Sequence, residues 1–152
     1  MYSDQRLVHC TCERFYGVVA DVQSYPQFVP GWLAVRTSPH GEQCLDVEQY
    51  VQIGPVRRWI QSRAWFEPPH RISVQPTGME GAGLALEWRF RAHDGGCEIV
   101  LEVCGHATSR LLAAALDAMA EHAARRLLDV FAARAQALGG HPCPPGPVNL
   151  KG

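Results

Sequence analysis

A chain of 152 residues with 47% hydrophobic side chains is sized for one globular domain with a full core. Its formal net charge of −1 lacks the basic excess of a polyanion binder, so DNA is not an expected partner. No apolar stretch approaches the ~18 residues that span a bilayer, and no membrane-spanning helix is predicted.

The opening segment "MYSDQRLVHC" is polar and offers no secretory leader, which predicts a cytoplasmic location. In that compartment the six cysteines (10, 12, 44, 97, 104 and 143) are expected as reduced thiols. Cys10-x-Cys12 beside His9 has ligand character, but a zinc site takes four ligands, usually from two such pairs. No second pair exists, so neither a metal nor another cofactor is expected.

After a first strand, Thr11 can cap a helix at Cys12, and Glu13 suits the positive end of its dipole. Phe15, Val18, Val19 and Val22 share its apolar face, and Pro26 cannot continue it. A second short helical turn is predicted over Ser24 to Phe28, with Ser24 as cap and Pro26 in the first turn.

Beyond Pro30-Gly31 the hydrophobic period shortens to two. "WLAVRTS" reads as a strand, closed by a turn at Pro39-His40-Gly41. In "CLDVEQYVQI", Leu45, Val47, Val51 and Ile53 alternate with Asp46, Glu48, Tyr50 and Gln52. Gly54-Pro55 turns the chain into "VRRWIQSRAWF", and Pro68-Pro69 turns it again into "RISVQ". Leu86, Trp88 and Phe90 then oppose Glu87, Arg89 and Arg91, and Asp94-Gly95-Gly96 makes a hairpin into Ile99, Leu101 and Val103. Such a meander is antiparallel, with one wet face and one dry face.

The longest predicted helix runs from about Thr108 to Leu138. Its apolar stripe is Leu112, Leu116, Met119, Ala123, Leu127 and Val130 or Phe131, and Gly139-Gly140 ends it. "HPCPPGPVNLKG" is rich in Pro and Gly, which predicts a disordered tail at 140–152 behind a single domain at 1–139. A strand, two short helices, about six strands and one long helix make an α+β fold. One helix cannot fill so wide a curved sheet, so large side chains plug the gap or an apolar cavity remains.

Specific residues also carry a family likeness. The segment "FYGVVADVQSYPQFVPGW" resembles the signature of the coenzyme Q-binding protein / RatA-like family of the START (Bet v 1-like, polyketide cyclase) superfamily. Tyr16, Val18-Val19, Asp21-Val22, Tyr25-Pro26, Phe28 and Pro30 match it; "EWRF" (Glu87 to Phe90) and "VFAARAQAL" (Val130 to Leu138) are similar to later motifs. Two departures stand out. "GMEGAGLALEW" replaces an aromatic-bearing turn, and Gly31-Trp32 stands where many members have Trp-Cys or Gly-Cys.

The resemblance implies a helix-grip fold: a curved antiparallel sheet of six to seven strands, two short helices and a long C-terminal helix over a hydrophobic cavity. It implies a non-catalytic carrier of a polyprenyl quinone (ubiquinone) or related lipid that supports respiratory electron transport. Transient contact at the inner face of the membrane goes with that role. Phe15, Val19, Tyr25, Phe28 and Trp32 are then expected at the mouth. Val47, Trp59, Trp88, Leu101, Leu112, Leu116 and Met119 are expected to line the interior.

Two alternatives stay open. A ribosome-association inhibitor acting on the large subunit would need basic clusters, of which Arg57-Arg58 and Arg125-Arg126 are the only pairs. A polyketide cyclase-like enzyme would need polar groups inside the cavity, with Gln49, Arg63, Glu87 and His106 as candidates. The chain has no Gly-x-Ser-x-Gly elbow, phosphate-cradling loop or His-Glu-x-x-His helix, so catalysis is not the expectation.

Overall fold

The computed structural model describes residues 1–78 and 82–138; the tail expected at 140–152 lies outside them. In chain order the elements are β1 (Tyr2–Val8), α1 (Cys12–Ala20), a 3₁₀ helix (Val22–Gln27), β2 (Trp32–Pro39), β3 (Cys44–Ile53), β4 (Val56–Glu67), β5 (Arg71–Pro76), β6 (Gly83–His93), β7 (Gly96–His106) and α2 (Arg110–Leu138). The strands form one antiparallel sheet in the order β1-β7-β6-β5-β4-β3-β2. The long α2 lies across it, which is the helix-grip arrangement expected from the sequence.

Local chemistry sets the element ends. The Arg14 N–H donates to Thr11 Oγ1 at 3.1 Å, so Thr11 caps α1 as predicted. The 3₁₀ helix starts two residues earlier than expected, and Ser24 is not its cap. The Ser24 hydroxyl instead donates to Asp21 Oδ2 at 2.6 Å, inside the turn. Ser109 begins α2: its carbonyl accepts from Ala113 N–H at 2.9 Å, and its hydroxyl accepts from Leu112 N–H at 3.3 Å.

The expectation of six reduced thiols is corrected. Cys12 and Cys97 form a disulfide across 85 positions, with Cα atoms 5.1 Å apart. Register explains the meeting: Val8 lies opposite Cys97 where β1 ends, and the turn into α1 folds Cys12 back over the start of β7. Cys10, Cys44 and Cys104 lie outside this disulfide.

The expected stripe of α2 also needs correction. Its buried face is Ala120, Ala124, Leu128, Phe131 and Ala135, rotated from the Leu112–Leu116–Met119 line. Small side chains seat the helix because they let it approach the sheet closely. At its start the contact is tighter still, since a Cβ on Gly105 of β7 would lie 2.6 Å from Leu116 Cβ and 2.7 Å from the Asp117 nitrogen. The Gly105 N–H donates to Asp117 Oδ1 at 2.8 Å, and the Met1 ammonium adds a second contact at 3.2 Å. Together they hold the Asp117 carboxyl below its ordinary range.

Two outcomes follow. Gly105→Ala forces α2 off β7 against backbone atoms that cannot yield, and should destabilise the fold by about 1–3 kcal/mol in urea denaturation. An unchanged midpoint would contradict the close seating. A depressed carboxylate stabilises the fold above the ordinary carboxylate range, and that share is lost as pH falls through the depressed value. Asp117→Asn should therefore shrink the loss of stability on acidification, as read by melting temperature against pH.

Candidate functional site

Where α2 sits decides what the sheet leaves open. Its main contacts run along β7, β1, β6 and α1. One flank is tied to β1 by polar groups: Arg6 pairs with Asp129, and Arg125 donates to the Tyr2 hydroxyl at 3.4 Å. The opposite flank leans toward the 3₁₀ helix, where Arg134 donates to Gln27 at 3.1 Å and lies 4.8 Å over the Phe28 ring. By helical periodicity Leu112, Leu116 and Met119 belong to this second flank, so they overhang the inner face of β2 to β5.

Strand register identifies that inner face. Val47 lies opposite Ser62, Gln49 opposite Ile60 and Val51 opposite Arg58; Ala64 faces Val74, and Val74 faces Leu86. Cross-strand partners share a face, so these side chains and the buried Val47 and Val51 point inward together. Several stay partly exposed although they point inward: Val35, Gln49, Val74 and Leu86 are half-buried, and Ile60 is 38% exposed. Leu112 and Met119 above them are 43% and 47% exposed. An apolar surface facing the fold's interior yet reachable by water is a candidate binding surface.

One polar pair interrupts it. The Trp32 indole N–H donates to Gln49 Oε1 across the β2–β3 pair. The Ser62 hydroxyl is buried and has no partner. Among the described residues no group of His, Cys, Asp and Glu could hold a metal ion, and no helix is long and apolar enough to cross a membrane.

The residues singled out in the sequence fall into distinct places. Phe15, Val19, Trp88 and Leu101 are fully buried in one cluster with Phe90 and Phe131, so they are core. Tyr25 and Phe28 pack on Phe131 with ring centroids 5.1 and 5.4 Å away, bracing the 3₁₀ helix against α2. The Tyr25 hydroxyl donates to the Val19 carbonyl. Burial first, and the charge of Asp21 second, push its ionisation far above the ordinary range. Trp32, Val47, Leu112, Leu116 and Met119 frame the open concave side.

Trp59 is a correction. It lies on the outer face, 42% exposed, with Tyr50 5.2 Å away and the Arg36 guanidinium 4.2 Å from its ring. The tight Gly54-Pro55 turn sets Ile53 opposite Val56 and so fixes Tyr50 opposite Trp59. Tyr50 was already the wet side of its strand, and that signal was legible. Arg63 and Glu87 also face outward, paired with Asp46 at 2.8 Å and Arg71 at 2.9 Å, and His106 is exposed at the end of β7. Of the polar candidates only Gln49 points inward. Counting outward from Tyr50 would likewise have found Ile60 and Ser62, the interior residues that alternation within β4 alone did not reveal. A separate cleft of about 400 Å³ lies at the opposite end, between Tyr16, Pro39, Phe66 and Pro68.

Several known proteins are similar to this chain. The chain is 26% identical over 126 residues to the ribosome association toxin RatA of Pseudomonas aeruginosa, covering 82% of this chain and 88% of that protein. An 18 kDa protein from Caulobacter crescentus is similar in structure, with TM-score 0.70, 26% identity, and coverage of 91% of this chain and 97% of that one. The Zhui aromatase/cyclase from a Streptomyces species superposes with TM-score 0.72 at 17% identity, over 88% of this chain and 92% of that chain. The family model described as polyketide cyclase / dehydrase and lipid transport matches residues 8–132, from the end of β1 through most of α2. With that span matched, the chain belongs to the polyketide cyclase / dehydrase and lipid transport family.

Proposed function

We propose that the chain is a non-catalytic carrier of a hydrophobic small molecule, a polyprenyl quinone such as ubiquinone or a related lipid, held on the concave face beneath Leu112, Leu116 and Met119. The partly exposed but inward-facing apolar surface of β3 to β6 carries this reading. Each methylene moved onto it from water gains about 0.8 kcal/mol, and almost nothing when it comes from a bilayer. Such a site ferries lipid between apolar phases rather than extracting it against a gradient. Trp32 and Val47 line it, and Tyr25 and Phe28 hold its closed end in shape.

Exchange with a membrane fits the open end. The antiparallel order brings the start of β2, the β3–β4 turn and the β7–α2 connection to that end. Exposed Leu33, Val56, Ile60, Leu111 and Leu112 gather there. Among the described residues Arg57, Arg58 and Arg110 pair with no carboxylate, whereas Arg36, Arg63, Arg71, Arg89 and Arg91 of the outer sheet face each do. Arginines without a carboxylate partner beside exposed apolar side chains suit an anionic lipid surface.

A second reading has the likeness to the ribosome association toxin in its favour: the same arginines would then meet the large ribosomal subunit. Organic extraction and mass spectrometry of the purified protein, run beside cosedimentation with large subunits, separates the two. A co-purifying quinone supports the carrier; cosedimentation without extractable lipid would sink it.

Two further outcomes are expected. Ile60→Asp places a charge at the rim without touching the core, so lipid retention should drop about tenfold or more while the melting temperature holds. Unchanged retention would place the entrance elsewhere. Reversing Arg57, Arg58 and Arg110 together to Glu should weaken binding to phosphatidylglycerol vesicles by at least about 100-fold, since losing three cations alone costs ~1 kcal/mol each. The reversal should leave binding to phosphatidylcholine vesicles unchanged; equal loss on both lipids would argue against an electrostatic dock.

A further inference from the structure

Buried polar atoms nearly always find a partner, because a bond left unmade away from water costs more than a made one returns. Among the described residues two hydroxyls break that rule, those of Tyr16 and Ser62. Tyr16 sits at the closed end beside Phe90. Ser62 is different: it lies midway along β4 on the concave face, opposite Val47, with 7% of its surface exposed.

Its diagonal neighbour is Gln49, since Gln49 pairs with Ile60 two residues along the same strand. Such neighbours carry Cβ atoms roughly 7–8 Å apart on one face. The indole N–H of Trp32 can only donate, so the Gln49 atom it meets is the carbonyl oxygen. That bond fixes the amide orientation and leaves the Gln49 NH₂ without an acceptor among the described residues. Two hydrogen-bond donors therefore share the wall of Val47, Val51, Val74 and Leu86, with exposed Arg58 opposite Val51 toward the rim.

We propose that Ser62 and Gln49 form a recognition point for a carbonyl oxygen at the leading end of an otherwise apolar ligand, with Trp32 as the residue that positions the Gln49 amide. The proposal rests on the reading of the concave face as the ligand site and names what that site selects. A hydrocarbon of the same shape would leave both donors dry, so the pair discriminates by what a wrong ligand fails to satisfy. A quinone ring and a linear polyketone chain both present such an oxygen.

The test uses the whole chain stripped of lipid, with binding read by quenching of tryptophan fluorescence or by displacement of a bound probe. The ligands are ubiquinone-2, the carbonyl-free geranylbenzene and a linear 1,3-diketone of similar carbon count. Wild type should prefer the carbonyl ligands by about tenfold or more, the worth of one to two hydrogen bonds. Ser62→Ala should weaken them roughly fivefold to tenfold and leave geranylbenzene unchanged. Its empty form should melt no lower than wild type, because the lost hydroxyl had no partner. Gln49→Met should lose the same selectivity by removing the second donor.

Tighter binding of ubiquinone-2 than of the diketone assigns a quinone, and the reverse order assigns a polyketone; either supports the carbonyl site. If wild type binds geranylbenzene as well as the carbonyl ligands and both variants match it, the recognition point is wrong while the apolar site stands. If Ser62→Ala melts lower and loses all ligands alike, Ser62 is structural and the proposal falls. If wild type binds none of the three, the carrier reading fails first and takes this proposal with it.

Discussion

A single helix about 10–12 Å across serves a sheet of seven strands, roughly 29 Å wide over its six gaps. It cannot cover both halves, and the packing decides which half it takes. α2 lies mainly along β7, β1 and β6, so the inner face of β3 to β5 takes the smaller share of its contacts. The concave apolar surface, the exposed rim and the stranded donors of Ser62 and Gln49 all follow from that placement. A second helix, or a flatter and narrower sheet, would have turned the same residues into ordinary core.

The two ends of α2 are held by different physics. At the C-terminal end Phe131 is the hub, with ring centroids 5.2 Å from Trp88, 5.1 Å from Tyr25 and 5.4 Å from Phe28. Burying each such ring is worth about 1.5–3 kcal/mol, and offset aromatic pairs add to it. At the N-terminal end the contact is a close approach at Gly105, where the Leu116 Cβ and the backbone of Ala113 and Asp117 leave no room for a side chain. The aromatic anchor makes the C-terminal end the densely packed one, and the apolar overhang leaves the N-terminal end sparse. The Cys12–Cys97 bridge lies at the anchored end and joins α1 to β7 where movement would be least useful.

The outer face of the sheet shows the opposite economy. Arg36, Arg63, Arg71, Arg89 and Arg91 each meet a carboxylate on a neighbouring position. Exposed pairs of this kind stabilise a fold little, but they leave that face electrically quiet. Arg57, Arg58 and Arg110, which meet no carboxylate among the described residues, then stand out at the open end, where the apolar rim is. Arg in place of Lys suits both settings, since its fork pairs with carboxylates and its plane stacks on Trp59 and Phe28.

Much of the fold was legible in the residues, because local rules govern it. Thr11 before Cys12 capped a helix, Gly54-Pro55 made a hairpin, and period-two alternation placed Val47 and Val51 inward and Glu48 and Tyr50 outward. The family likeness of "FYGVVADVQSYPQFVPGW" pointed to the correct grip. The candidate site was less legible. Phe15, Val19, Trp88 and Leu101 are apolar in the sequence whether they meet one another or a ligand, and only packing distinguished the two. Trp59 was misplaced by reading its strand alone, although the turn before it had fixed its partner.

The sequence by itself determined the elements, their order and the wet and dry side of the regular strands, since caps, turns and periodicity act over a few residues. Tertiary structure decided the rest: that α2 seats on its alanines rather than its leucines, that Cys12 finds Cys97, and that Ser62 is buried without a partner. These depend on which surfaces meet across long stretches of chain. Close approach favours the small side chains of Ala124 and Gly105, and it is this contact that pushes Leu112, Leu116 and Met119 out over the open half of the sheet.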